Sequence, residues 1–176
     1  MRKILIGLIA AFSLASAAQA EVVDAQANGF QVTNSVEISA PADAVWKAMI
    51  EPSRWWASSH TFTGDAANLR LEARPGGCFC ELKADGGGAS TMRVSFVDPG
   101  KEIDIWGAIG PLSRLGATGG WTLVLTPEGP KTKVTWTYTV GGYEPGGLNK
   151  IAAPVDHVMA EQLGRLKAYV ETGKAG

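Results

Sequence analysis

Phe30-Gln31-Val32-Thr33-Asn34-Ser35-Val36-Glu37-Ile38-Ser39-Ala40-Pro41-Ala42-Asp43-Ala44-Val45-Trp46 changes its apolar period partway along. From Phe30 to Ile38 the apolar residues fall on even positions, with Asn34 among them. That is the period of a strand with one buried face. From Ala42 the pattern becomes Ala42, Val45, Trp46, Met49, the i, i+3, i+4, i+7 spacing of one helical face. Pro41 suits a first helical turn, and Pro52 stops the helix. Ser53 can cap a second short turn that carries Trp55-Trp56.

Beyond Gly64 the period is two again. Leu69-x-Leu71-x-Ala73 stops at Pro75-Gly76-Gly77. Cys78 to Lys83 turns at Asp85-Gly86-Gly87-Gly88. Thr91 to Val97 turns at Asp98-Pro99-Gly100, and Ile103 to Trp106 follows. Trp121-x-Leu123-x-Leu125 then meets Val134-x-Trp136-x-Tyr138-x-Val140 across Pro127-Glu128-Gly129-Pro130. Strands joined by short turns predict an antiparallel sheet. Two glycine-rich stretches, Gly107 to Gly120 and Gly141 to Leu148, read as long loops at the mouth of a pocket or over the sheet end. From about Pro154 to Thr172, Val155, Met159, Leu163, Leu166 and Val170 form the stripe of a closing amphipathic helix, ended by Gly173. Leu148 to Ala153 is expected to be a separate turn.

Residues 1–20 have the form of a secretory signal. Arg2 and Lys3 precede the apolar run Ile4 to Leu14, and Ala18-Gln19-Ala20 is a small-x-small cleavage site. Cleavage after Ala20 would give a periplasmic or secreted chain, with no stable membrane insertion. Taking 20 residues from 176 leaves 156, enough for one domain at 21–176. Residues 21–28 are expected to be a frayed start. The full chain carries a net charge of −1. The leader removes two cations, so the mature chain is mildly acidic. Nucleic-acid partners and anionic lipid surfaces are not suggested. The sequence carries no signal for oligomeric state.

The chemistry-bearing residues are sparse. The two cysteines, Cys78 and Cys80, sit two apart on a strand. Regular strand spacing separates their Cα atoms by about 6.5 Å, at the edge of what a disulfide spans. Two small inward apolar residues are therefore expected there, with Glu81 and Glu72 pointing to solvent. His60 and His157 are the only histidines, and C-x-C lacks zinc-knuckle spacing, so no metal site is expected. No nucleophile elbow, phosphate loop or HExxH motif is present, so neither a catalytic residue nor a cofactor is assigned. The aromatic residues suit an apolar binding wall. Trp106 and Trp121 are the candidate pocket liners, with Tyr138 and Met159 as further contacts. Trp56, His60 and Tyr143 are candidates for the rim.

The order of segments resembles the START-like superfamily, also called SRPBCC or helix-grip. The residues that carry the resemblance are Val36-Glu37-Ile38-Ser39-Ala40-Pro41 with Val45-Trp46, Trp55-Trp56, Arg74-Pro75-Gly76-Gly77, Trp106-Gly107 and the helix from Val155 to Val170. It is similar to the polyketide-cyclase-like and heat-shock ATPase-activator-like branch. The resemblance implies an α+β fold. A curved antiparallel sheet of about seven strands would enclose a long C-terminal helix, with two short helices after the first strand. It also implies a cavity for lipids, hormones or polyketides, and no shared catalytic set. The expected function is binding or carriage of a small hydrophobic or amphipathic ligand. The alternatives are a cofactor-free enzyme of the cyclase or hydrolase type and a stress-related protein-interaction module.

Overall fold

The computed structural model describes residues 19–176, with side chains from Glu21. The secretory signal expected at residues 1–20 lies almost wholly outside the described residues. One antiparallel sheet of eight strands carries the fold. Its strands in chain order are β1 (Gln19–Gln26), β2 (Gly29–Ile38), β3 (Leu69–Leu71), β4 (Cys78–Leu82), β5 (Gly88–Asp98), β6 (Glu102–Gly107), β7 (Gly116–Glu128) and β8 (Lys131–Tyr143). Their order across the sheet is β1-β2-β8-β7-β6-β5-β4-β3. Helices α1 (Ala42–Met49) and α2 (Asn149–Thr172) complete the fold.

The alternation in β2 is borne out. Phe30, Val32, Asn34, Val36 and Ile38 are buried, and β2 pairs along its whole length with β8. Helix α1 buries Val45, Trp46 and Met49, the face its spacing predicts. Because β2 and β3 lie near opposite edges, the chain between them must cross the full sheet. Residues 39–68 make that crossing, with α1 first and then three single 3-10 turns at Pro52–Arg54, Ser58–His60 and Ala66–Asn68. We call residues 52–68 the strap.

The eighth strand corrects the expected frayed start. Glu21 to Gln26 pair with Thr33 to Gly29, with one register shift between Val22 and Asp24. Cleavage after Ala20 would leave that pairing in place. The closing helix also begins earlier than expected, because α2 runs straight through Pro154. The N–H that proline lacks would have met the Lys150 carbonyl one turn back. Both residues are exposed, so water can serve that carbonyl. The two glycine-rich stretches are shorter loops than predicted, since Gly116 to Gly120 and Gly141 to Tyr143 are strand. Glycine lets these backbones approach closely. A Cβ at Gly119 would lie 2.2 Å from the Thr139 carbonyl oxygen.

Helix α2 packs mainly against β2 and β1, with α1 beside it. It covers one side of the concave face, leaving the β4 side to the strap. Its buried residues are Ala152, Met159, Gln162, Leu163 and Leu166. Val155 and Val170 of the expected stripe are only partly buried.

Strand β4 is where the predicted facing fails. Cys78, Phe79, Cys80 and Glu81 are all buried, so both faces of the strand are covered. Phe79 faces the interior beside Trp56 and Trp121. The cysteines lie on the phase opposite Phe79 and outside the hydrophobic core cluster, although Cys80 borders the small inner cavity, so they are not the inward core pair expected. They are joined as a disulfide, with Cα atoms 5.4 Å apart. That distance is shorter than the regular strand spacing that argued against a bridge; opposite the Phe79–Cys80 step, β5 carries one extra residue, Thr91.

Candidate functional site

The interior is lined by rings from four elements. Trp55 and Trp56 come from the strap, Phe79 from β4, and Trp121 and Trp136 from β7 and β8. Their centroids form a continuous chain of contacts. Trp55–Trp136 is 5.9 Å, Trp136–Trp121 is 5.2 Å, Trp121–Phe79 is 5.8 Å and Phe79–Trp56 is 5.4 Å. Edge-on pairing suits the ring quadrupoles, and the Trp121–Trp136 planes stand at 87°. These rings take up most of the space that the resemblance assigned to a ligand. Beside them remains a cavity of about 20 Å³, room for a single water molecule. The open central cavity expected from the sequence is thus closed, and the strap's two tryptophans close it.

The strap is held by polar tethers. From α2, Gln162 Oε1 accepts the Ala57 N–H at 2.8 Å, and Arg165 Nε donates to the Trp55 carbonyl at 2.8 Å. His60 Nε2 lies 3.0 Å from Glu161 Oε2 in a half-exposed pair. From β4, Glu81 accepts two backbone N–H groups, Phe62 to Oε1 at 2.8 Å and Thr63 to Oε2 at 2.7 Å. Glu81 is 4% exposed, which corrects its expected solvent facing. A carboxylate is tolerated inside because both oxygens are bonded to oriented donors. Within the strap, Trp56 Nε1 donates to the His60 carbonyl at 3.0 Å.

The small cavity is lined by Trp56, His60, Phe62, Leu69, Phe79, Cys80 and Glu81, with Thr91 and Ile109 opposite. A second hollow is an open groove of about 820 Å³ on the outer side of the strap. Ile50, Pro52, Leu69, Leu71, Leu82 and Tyr169 give it apolar walls. Glu51, Arg54, Arg70 and Glu72 give it polar ones. Leu69, 3% exposed, lines both spaces.

Of the residues picked from the sequence, Trp56, Trp121, Tyr138 and Met159 are buried, each 3% exposed or less. His60 stands at the small cavity with Trp56. Trp106 does not line the interior. Ile103 and Ile105 take the inward phase of β6, which turns Trp106 outward, 57% exposed, with its ring beside Gly120. Tyr143 is also turned out, 72% exposed at the end of β8. His157 is exposed on α2, while its neighbour Asp156 accepts from Asn34 Nδ2 at 2.7 Å. Sequence reasoning missed Glu81 as an inward anchor, and it missed Gln162. Among the described residues no cluster of histidine, cysteine and carboxylate side chains is placed to hold a metal ion. No described helix is long and apolar enough to cross a membrane.

Tyr138 ties the loop after β6 to the sheet. Its hydroxyl accepts the Ile109 N–H at 3.2 Å and donates to the Gly107 carbonyl at 3.3 Å. Burial, partly offset by the Ile109 N–H, pushes the phenol from 10.0 up to about 12. Its folded value is above its unfolded one, so the contribution to stability is complete below about pH 10 and disappears as pH rises through about 12. That window corresponds to about 3 kcal/mol. Urea unfolding at pH 9 and pH 12 should show this loss, and Tyr138→Phe should show a smaller one. An equal loss in both proteins would remove Tyr138 as the cause.

The sequence family described as polyketide cyclase / dehydrase and lipid transport matches residues 29–171, nearly the whole described chain. The chain belongs to that family. Solved structures agree on the fold. A conserved protein of unknown function from Enterococcus faecalis is similar at 16% identity and a TM-score of 0.59, covering 85% of this chain and 75% of that one. The Aha1 dimer from Colwellia psychrerythraea is similar at 18% identity and a TM-score of 0.58, covering 82% and 98%. DynU16, from the dynemicin biosynthetic locus, is similar at 25% identity and a TM-score of 0.54, covering 82% of this chain and 48% of that one. No curated protein matches. This polyketide-cyclase-like chain thus has the α+β helix-grip architecture, with eight strands where about seven were expected.

Proposed function

We propose that this family member is an exported domain that takes up one small hydrophobic or amphipathic molecule without transforming it. The ligand enters from the outer groove and occupies interior space that the strap tryptophans fill in the closed form. The observation that carries this reading is Leu69, which lines both the groove and the inner cavity. The family's description as a lipid-transport group supports the ligand class. The strap's tethers support its displacement. They are side chain to backbone bonds and one half-exposed pair, each of which water can replace when the strap swings out. Because the open form is the competent one, apparent affinity falls by its population. The leader at residues 1–20 is the basis for placing the domain outside the cytoplasm.

The test uses the mature chain, Glu21 to Gly176, stripped of bound lipid and mixed with 2-decanone, a ten-carbon ketone. Native mass spectrometry is expected to show a one-to-one complex. Leu69→Ala is expected to speed uptake several-fold, at a stability cost of about 3 kcal/mol. Absence of any complex, or uptake indifferent to Leu69→Ala, would count against this site.

A cofactor-free cyclase or hydrolase is the second reading, because His60 and Glu81 both line the inner cavity. A histidine oriented by a carboxylate, as His60 is by Glu161, has the form of a general base. Under that reading, the His60→Ala, Glu81→Ala double variant loses turnover while staying folded.

A further inference from the structure

Among the described residues five buried side-chain polar atoms have no hydrogen-bond partner; one, Asp104 Oδ1, lies on the outward phase of β6, and the other four lie in the interior. They are Trp121 Nε1, Trp136 Nε1, Gln162 Nε2 and Asn34 Oδ1. Their residues are each 2% exposed or less. Leaving such an atom unserved costs about 1–3 kcal/mol, and a core with no other task would hold phenylalanine or leucine in these places.

The four belong to one neighbourhood. Asn34 and Trp136 are direct cross-strand partners, and Trp121 lies one strand further on, its ring 5.2 Å from that of Trp136. Gln162 reaches in from α2. Its oxygen is held by the Ala57 N–H, next to Trp56, whose ring is 6.2 Å from Trp121. Three of the four atoms are donors, and none of the donors is cationic. An uncharged oxygen acceptor therefore matches them. A carboxylate there would also meet a like charge, because the Asp156 carboxylate lies 2.7 Å from Asn34 Nδ2.

We propose that Trp121, Trp136 and Gln162 form an anchor for a neutral carbonyl oxygen of the ligand, a ketone or ester. The proposal rests on the ligand-binding reading above and adds its polar group. Asn34 Oδ1 stands beside the donors as an acceptor for a neighbouring hydroxyl. The apolar remainder of the ligand lies along the rings that the strap uncovers. Release of the strap also frees the Gln162 amide from its bond to Ala57, so the side chain can turn its Nε2 donor toward the ligand as the door opens.

The experiment uses the nitrogen-15-labelled mature chain and three probes of equal length, 2-decanone, decane and decanoate. With the ketone, the indole N–H signals of Trp121 and Trp136 and the Gln162 amide are expected to shift, while the exposed Trp106 indole stays in place. The ketone is expected to bind at least tenfold more tightly than decane, and Trp121→Phe, checked for folding, to reduce that preference at least fivefold. If ketone and alkane bind equally and the indole signals do not move, the anchor is wrong while ligand binding stands. Ring faces or trapped water then serve those N–H groups. If no probe binds, the ligand-binding reading and the anchor fall together. Tighter binding of decanoate than of the ketone would overturn the neutral-carbonyl class.

Discussion

Trp136→Ala is expected to lower stability by about 3–5 kcal/mol, a large share of what a domain of this size possesses. Trp136 has no exposed surface and lies at the crossing of the sheet, the strap and the helix side. It faces Asn34 on β2 and Leu123 on β7, and its ring touches those of Trp55 and Trp121. Truncation leaves a ring-sized void that the rigid sheet cannot close. Trp106→Ala is the control. It removes an identical side chain from the convex face, where less than about 1 kcal/mol should be lost. Urea midpoints with unchanged slopes measure both values. Similar losses at the two sites would contradict the facing assigned to β6 and β8.

Removal of the Glu81 carboxylate has the second large effect. Glu81→Ala is expected to cost about 3 kcal/mol, because two hydrogen bonds to a charged acceptor are lost in a buried place. Most of the consequence should be local. Phe62 and Thr63 donate to this group, so their amides should exchange faster, and proteases should cut between Ser58 and Gly64 while β2, β7 and β8 stay protected. Glu81→Gln, with one acceptor retained, should lie between wild type and alanine. Cleavage spread evenly over the chain would show that Glu81 supports the whole fold and not the strap.

Much of the architecture was readable from residue order. The period change between Ile38 and Ala42 fixed a strand followed by a helix, and the turn signals at Asp85 to Gly88, Asp98 to Gly100 and Pro127 to Pro130 fixed the hairpins. The burial of Asn34 was legible too, since it shares the even phase with Phe30 and Val36. The outward turn of Trp106 was written in Ile103-x-Ile105, whose phase excludes it. Gln162 sits three residues after Met159 and four before Leu166, on the same helical face. That spacing was the available signal for its burial.

Other features had no local signature. In Cys78-Phe79-Cys80-Glu81-Leu82 both phases are apolar enough to face inward, so alternation could not choose. The choice is made by the register shift against β5 and by Trp56 and Trp121 packing on Phe79. Whether the interior is open or filled depends on where the strap lies. That position is set by Glu81, Gln162 and Arg165, all of them distant in sequence. A resemblance that implies a cavity says nothing about which side chains enter it.

Hydrogen exchange at Ala57, Phe62 and Thr63, with and without saturating 2-decanone, tests ligand uptake through strap displacement most directly. These three amides are the strap's bonds to α2 and β4. The ligand-bound protein is expected to lose protection at all three while the strands of β7 and β8 keep theirs. A bound ketone that leaves the three amides as protected as before would contradict the account.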